Sequence, residues 1–167
     1  LFQNTLFYVI FFLANILWAT VVVFIVEWLN NNQIGLFYQV QIPVWTKLIL
    51  GVAIFDLVSY WFHRMAHKVP LLWRFHRVHH SDTNMDSTTY FRGHPFEIFF
   101  WFGVSNIMAA GLFGLDLLTM GFYFLVATPF FIIEHTNIRF PKWKYSLYIT
   151  IYYITIYYVY SYILYYY

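Results

Sequence analysis

Long apolar runs separated by short polar segments make up most of this chain. A bilayer core of roughly 30 Å requires about 20 apolar residues in a helix. Four runs meet or nearly meet that length, and we predict spans at Leu6 to Val26, Val44 to Phe62, Pro95 to Leu115 and Leu117 to Ile133. Only Gly114 to Asp116 separates the last two, so they form a tight helical hairpin. The pattern predicts an all-α integral membrane protein with about four transmembrane helices in two hairpins.

Composition supports a membrane location and excludes several function classes. Of the 167 residues, 62% are apolar and 10% charged, against roughly 45–50% and about 25% in soluble domains. The formal net charge of +2 is too small for a nucleic-acid-binding surface, so we expect no nucleic-acid partner. The absence of cysteine excludes disulfides and thiolate metal sites. We assign the abundant aromatic residues to lipid-facing surface and interface belts.

The cations predict which ends of the spans share one side of the membrane. Eight of the nine Lys and Arg residues fall in two groups that two spans separate. They are Arg64, Lys68, Arg74, Arg77 and Arg92 after the second span, and Arg139, Lys142 and Lys144 after the fourth. Lys47 is the exception. The positive-inside rule makes the side with these cations cytoplasmic.

The chain divides into three predicted segments. Residues 1–43 hold the first span and a connecting loop, and residues 44–144 hold the candidate core. In residues 145–167, eleven of 23 residues are Tyr. That tail is either a tyrosine-rich fifth membrane segment or low-complexity sequence translated in a shifted frame, and we favour the second. The Leu at position 1 and the terminal tyrosines lead us to expect that both ends are fragment ends.

All seven histidines lie within residues 63–135: His63, His67, His76, His79, His80, His94 and His135. The first two are spaced i,i+4, which brings two imidazoles to one face of a helix. The group His76, His79 and His80 combines i,i+3 and i,i+4 spacings, which bring three imidazoles to one side of a turn. Single histidines of this kind are most often polar surface residues. Five at metal-compatible spacings, without thiolate, favour a redox iron site over a structural zinc site.

Carboxylates near these histidines are candidate partners of the ligands. Asp56 lies inside the second span, seven residues before His63, and therefore on the same helix face. An ionisable residue there is costly, so we predict that its carboxylate accepts a ring N–H from a ligating histidine. The alternative is a neutral Asp bonded within the bundle. Glu97 and Asp82 are weaker candidates, and Asp82 with Asp86 is equally typical of a solvated loop.

The histidines lie within motifs that resemble the sterol desaturase and fatty acid hydroxylase superfamily. These motifs are Asp56-x-x-x-Tyr60-Trp61-Phe62-His63-Arg64-x-x-His67, Pro70-Leu-Leu-Trp73-Arg74-Phe75-His76-Arg77-Val78-His79-His80-Ser81, Arg92-Gly-His94-Pro95-x-Glu97 and Glu134-His135-Thr-Asn137. The resemblance covers residues 45 to 143. Acyl-lipid desaturases usually widen the first histidine pair by one residue, so the narrow spacing indicates the hydroxylase side.

This resemblance implies a cytoplasmic-face, histidine-rich helical site that holds two non-haem iron ions and uses O2. Its implied ligands are His63, His67, His76, His79, His80 and His135. His94 is a ligand, a partner of a ligand or a helix cap. No catalytic residue beyond the metal centre is implied. The family carries a further His-x-x-His-His box after the segment matching Pro141 to Trp143. The tyrosine-rich tail stands there instead, so three expected ligands are missing from this sequence.

The implied function is oxidation of a C–H bond of a lipid or sterol in the bilayer, by hydroxylation or desaturation. Because no flavin or dinucleotide motif occurs in the sequence, electrons would come from NAD(P)H through a reductase and a cytochrome b5-type or ferredoxin partner. The location would be the endoplasmic reticulum in a eukaryote or the cytoplasmic membrane in a bacterium. The basic residues among the histidines would dock an acidic carrier or contact lipid headgroups.

Two alternatives to the oxygenase stay open. The first is a catalytically silent lipid-binding relative, or a truncated product that lacks the third histidine box. The second is a haem-binding or metal-binding membrane protein. Haem carriers place histidines inside facing spans, whereas the histidines here fall at span ends and between spans, so the second is less favoured.

Overall fold

The computed structural model describes residues 2–83 and 86–136, with side chains from residue 5 onward. Every element in those ranges is helical. The α-helices are α1 (Phe2–Asn31), α2 (Val44–Lys68), α3 (Pro70–His76), α4 (Pro95–Ile98), α5 (Ser105–Phe113) and α6 (Leu117–Glu134). A π-helical turn, Phe99–Val104, joins α4 to α5, and 3-10 turns lie at Leu36–Tyr38, His79–Ser81 and Thr89–Phe91. The predicted tail, 145–167, lies outside the described residues.

Four helical segments of the described chain are long and apolar enough to cross a membrane, which confirms the predicted all-α membrane fold. They are Thr5–Tyr38, which contains most of α1, then α2, the continuous segment Pro95–Phe113, and α6. On α1, the side chains of Leu13, Leu17 and Phe24 are 61%, 65% and 72% exposed. An apolar surface of this extent requires lipid around it. The protein is therefore a membrane protein.

Two helices extend beyond the span ends that hydrophobicity predicts. α1 continues past Glu27 to Asn31, and α2 continues six residues past Phe62 to Lys68. The backbone hydrogen bonds of a helix do not depend on apolar side chains, so a helix can leave the hydrocarbon region and continue. On α2, the Arg64 guanidinium donates to the Tyr60 hydroxyl one turn earlier at 2.8 Å. His63 and His67 thus lie on the last turns of α2.

The third span is not the regular α-helix that its apolar pattern predicts. The α-helical turn at α4 widens into the π-helical turn before α5 begins. Two buried polar side chains form hydrogen bonds to the backbone of this turn. The Ser105 hydroxyl donates to the Trp101 carbonyl, and the Asn106 amide donates to the Phe102 carbonyl at 2.7 Å. Hydrophobicity alone cannot show such a turn, because all six of its residues are apolar or glycine in either helix type.

The core is formed where α1, α2, α5 and α6 meet. Its buried side chains include Val22, Val26, Phe55, Val58, Phe62, Ala109, Ala110, Leu115, Met120, Tyr123 and Ala127. The rings of Phe55 and Tyr123 stack with centroids 5.3 Å apart. At Gly51 an added Cβ would lie 2.0 Å from Cγ2 of Thr119 on α6. Small residues allow α2 and α6 to approach closely, as expected for helices packing within a membrane.

An ion pair and a helix cap stabilise the end of the bundle away from the histidines. Lys47 on α2 forms an ion pair of 2.6 Å with Asp116, whose carboxylate also caps α6 by accepting from the Thr119 backbone N–H at 2.9 Å. The predicted short turn joins α5 to α6, and Gly114 there has φ +73°. α5 packs on α1 and α2, and α6 packs on α2. Lys47 and His63 are separated by about 24 Å along the helix, close to the thickness of a bilayer core.

Candidate metal centre

Four histidines converge at one point at the end of the bundle opposite Lys47. We call His63, His67, His76 and His80 the four-histidine cluster; one ring nitrogen from each lies within 4.8 Å of the others. The Nε2 atom of His67 is 3.0 Å from that of His63 and 3.2 Å from that of His76. The His80 Nε2 atom is 3.1 Å from that of His76. This arrangement suits four ligands of one ion.

The local sequence explains why two helices bring their histidines together. His63 and His67 are one turn apart on α2, which confirms the predicted shared face. Val69 then adopts an extended conformation, with φ −89° and ψ 117°, as the residue before a proline does. Pro70 opens α3, where its missing N–H costs no hydrogen bond. The break directs α3 back along α2 and carries His76 to the first pair.

A second set of rings lies beside this cluster. His79, in a 3-10 turn, and His135, which comes directly after α6, form what we call the histidine pair; their Nε2 atoms are 2.9 Å apart. The His79 and His76 rings stack with centroids 5.5 Å apart. The polar segment after α2 and the end of α6 therefore lie on the same side of the membrane. Arg139, Lys142 and Lys144 lie outside the described residues.

Hydrogen bonds to Nδ1 orient three of the six rings. The Nδ1 atom of His76 contacts the Glu97 carboxylate. That of His79 lies 3.0 Å from the Arg92 carbonyl, and that of His135 lies 2.5 Å from the Phe131 carbonyl. All three partners are acceptors, so we infer that Nδ1 carries the proton. The Nε2 atom of each of these rings faces another histidine, the usual arrangement around a metal.

The protonation of these rings favours metal binding. Burial lowers the pKa of His79 to about 4, and repulsion from His135 acts in the same direction. The pKa of His80 is also lowered, first by burial and then by His76. Both rings are therefore neutral at pH 7. Neutral imidazoles whose lone pairs meet at about 3 Å repel one another, and a cation among them removes that repulsion. The donor set fits iron, zinc, copper or nickel.

Two tryptophans that we assigned from sequence to lipid-facing or interfacial surface pack against the cluster. The Trp101 ring lies 5.1 Å from His63 and 5.4 Å from His76, measured between centroids. Trp73 lies 5.4 Å from His67 and 5.7 Å from His80. An apolar position looks the same in sequence whether it faces lipid or a neighbouring helix. The only sequence signals are that Trp73 stands within the histidine motif and Trp101 four residues after Glu97.

The remaining candidate residues have other surroundings. His94 lies outside the four-histidine cluster and caps α4, with Nδ1 accepting from the Phe96 backbone N–H at 3.1 Å. Asp56 is not one of the three Nδ1 acceptors; it lies near Tyr123 and Glu134 on α6. Its predicted contact with a ligating ring stays a prediction. Asp82 accepts from the Thr89 hydroxyl at 2.9 Å.

Comparison with known proteins identifies the family. A model described as fatty acid hydroxylase matches residues 48–163. Alkylglycerol monooxygenase from Homo sapiens is 40% identical over 55 residues, which are 33% of this chain and 12% of that protein. A cholesterol 25-hydroxylase-like protein from Caenorhabditis elegans is 27% identical over 115 residues, 68% of this chain and 38% of that protein.

A bacterial relative gives a similar result. Ornithine lipid hydroxylase OlsE from Rhizobium tropici is 42% identical over 45 residues, 27% of this chain and 14% of that protein. The chain thus spans between 12% and 38% of the length of these relatives. No solved structure gives a significant match. Since the family model covers more than half of the sequence, the chain belongs to the fatty acid hydroxylase family.

Proposed function

We propose that this chain is part of a membrane-bound oxygenase that hydroxylates a C–H bond of a lipid at a non-haem di-iron centre. The observation that carries the proposal is the four-histidine cluster, whose ligand atoms lie within 4.8 Å of one another where a membrane-spanning helix ends. A donor set of neutral imidazoles without thiolate favours a redox metal such as iron. The family match adds independent support.

The described residues would hold two ions in adjacent places. The four-histidine cluster would hold one, and the histidine pair would supply ligands to the second. When bound, the irons would use O2 and electrons to oxidise an unactivated C–H bond. The chain's own residues orient the rings: the Glu97 carboxylate and the carbonyls of Arg92 and Phe131 keep the proton at Nδ1 and leave Nε2 for the metal.

The position of the site favours a lipid substrate. The cluster lies where apolar helices reach the polar end of the bundle, so a substrate in the bilayer can meet electrons and protons supplied from water. The printed names of three relatives include alkylglycerol, cholesterol and ornithine lipid, which are all lipids or sterols. Two of those names specify a hydroxylase and one a monooxygenase, which favours hydroxylation over desaturation.

An electron donor is part of the proposal. Two-electron reduction of O2 needs a reductant, and the sequence contains no dinucleotide or flavin motif. We therefore assign electron delivery to a cytochrome b5-type or ferredoxin partner that an NAD(P)H reductase supplies. The partner would act from the cytoplasmic side, in the endoplasmic reticulum of a eukaryote or the cytoplasmic membrane of a bacterium.

Cysteine labelling tests the side on which the site lies. The chain contains no cysteine, so a single introduced thiol is unique. Ser87 is exposed on the side of the histidines, and Gln41 is exposed in the connection between α1 and α2. We expect Ser87→Cys to react with an impermeant maleimide only after the cytoplasmic side is opened, and Gln41→Cys to react in intact cells or sealed vesicles. The reverse pattern would contradict a cytoplasmic site.

Heavy oxygen tests the function directly. Lipids from membranes that contain this chain, incubated under 18O2, should carry 18O in a new hydroxyl group detectable by mass spectrometry. A matched His76→Ala sample should show none. Equal signals in the two samples would refute the oxygenase.

One observation favours the alternative of a catalytically silent or truncated protein, and the 18O2 experiment tests that alternative too. No histidine follows His135 in the sequence, although the family resemblance implies a further box. If the chain binds iron but forms no 18O-hydroxyl, the truncated or silent product is favoured. Formation of the labelled hydroxyl would show that the histidines present in this chain suffice for hydroxylation.

A further inference from the structure

We propose that Trp101 is the positioning residue that sets the ring planes of His63 and His76, and that the π-helical turn exists to place it there. This rests on the proposed metal centre. Trp101 meets His63 edge to face, with an interplanar angle of 79°, and stacks on His76 at 27°. One indole therefore contacts two ligand rings from two different helices, α2 and α3.

The indole is itself held by a hydrogen bond to α2. Its Nε1–H donates to the Ser59 hydroxyl at 3.2 Å. Ser59 lies one turn before His63 on the same helix. The indole plane is thus fixed relative to the helix that carries the first histidine pair.

The backbone of the third span supplies the second constraint. Trp101 lies within the π-helical turn, where the Ser105 hydroxyl donates to its carbonyl. Each additional residue in a helix rotates all subsequent residues by about 100° around the helix axis. Because Trp101 lies inside the wider turn, its side chain points in a different direction from the one it would have in a regular α-helix from Pro95. π-Helical turns inside α-helices occur frequently at functional sites.

Trp101 and Glu97 act on His76 in complementary ways. Glu97 binds Nδ1 in the plane of the ring, which fixes its tautomer and in-plane direction. Trp101 covers the face of the same ring, which fixes its tilt. Both residues also line a small cavity of about 10 Å³ with Phe62, Ala66, Phe96 and Phe100. Loss of the indole would enlarge that cavity beside a ligand and let the ring turn.

Cobalt(II) binding to the detergent-purified chain separates a positioning role from general packing. We expect Trp101→Phe, which keeps an aromatic ring but loses the N–H, to raise the Co²⁺ dissociation constant about tenfold and to alter the visible absorption band. Ser59→Ala removes the other end of the same hydrogen bond and should act similarly. The double variant should weaken binding by less than the product of the two single effects.

Trp18→Phe is the matched control. Trp18 packs on Phe99 of the same π-helical turn, with centroids 4.5 Å apart, and makes no ring contact with a described histidine. We expect its Co²⁺ affinity and band to equal those of the wild type. Equal weakening by Trp18→Phe and Trp101→Phe would assign the effect to general packing and overturn the positioning role.

Two further outcomes are decisive and distinguishable. Unchanged Co²⁺ affinity and band in Trp101→Phe, with normal binding by the wild type, would overturn the positioning role alone. A wild-type chain that binds no Co²⁺ would overturn the metal centre and this inference together. The melting temperatures of the metal-free proteins, expected to be similar for all variants, show that each comparison is made between folded proteins.

Discussion

Replacement of His76 by alanine is expected to abolish stoichiometric iron binding. His76 is the most central of the six rings: its Nε2 atom lies within 3.2 Å of those of His67 and His80, and only 3% of the residue is exposed. No backbone group can replace the lost ligand, and the Glu97 carboxylate would lose its ring partner. Iron per chain, measured by elemental mass spectrometry after anaerobic loading, should fall to background.

His94→Ala is the matched control for this change. It removes the same side chain from the N-cap of α4, outside the four-histidine cluster, so iron content should stay at the wild-type level. Glu97→Gln should give an intermediate result, with iron affinity reduced about 10–100-fold, because it weakens the hydrogen bond that orients His76. Wild-type iron in His76→Ala, or equal loss in His94→Ala, would contradict the ligand assignment.

Substitution of Gly35 by alanine is expected to give the largest loss of fold stability. Gly35 has φ +123°, and an added Cβ would lie 2.0 Å from the backbone nitrogen of Gly114. The unfavourable backbone conformation alone costs about 1–3 kcal/mol. The clash with the turn between α5 and α6 adds to that cost, because a backbone atom cannot move aside as a flexible side chain does. We expect a lower melting temperature in detergent and less folded protein in membranes.

The same substitution at Gly121 provides the comparison. Gly121 lies in α6, and an added Cβ there meets nothing within 4 Å. Since alanine favours a helix over glycine by about 0.5–1 kcal/mol, Gly121→Ala should match or exceed the wild-type melting temperature. If Gly35→Ala were as stable as Gly121→Ala, the close approach of Gly35 to Gly114 would be wrong.

Long apolar runs and histidine spacing were enough to predict the spans, the short turn at Gly114 and the pairing of His63 with His67. These features depend on local rules: the helical period, the length of a membrane span, and the turn between helices. The contact of His79 with His135 depends instead on two segments 56 residues apart in sequence. Spacing predicted that His76, His79 and His80 share one side of a turn, but tertiary packing directs His79 toward α6.

The orienting contacts could be predicted only in part. Glu97 was a weaker candidate than Asp56, because an ionisable residue deep in a span is the stronger sequence signal. The structure places the Glu97 carboxylate on His76, because the N-terminus of α4 packs beside α3. The carbonyls of Arg92 and Phe131 belong to the backbone, which every residue has, so the sequence cannot identify them as acceptors. The π-helical turn and Trp101 have the same apolar pattern as an ordinary span.

X-ray absorption at the iron edge, on the chain loaded anaerobically with Fe²⁺ and purified with a tag that contains no histidine, tests the central claim most directly. The account predicts that imidazole nitrogens dominate the nearest neighbours of iron, with the more distant carbon scattering that imidazole rings produce, and that His76→Ala removes the signal. A chain that retains no iron, or iron surrounded by oxygen without imidazole scattering, would contradict it.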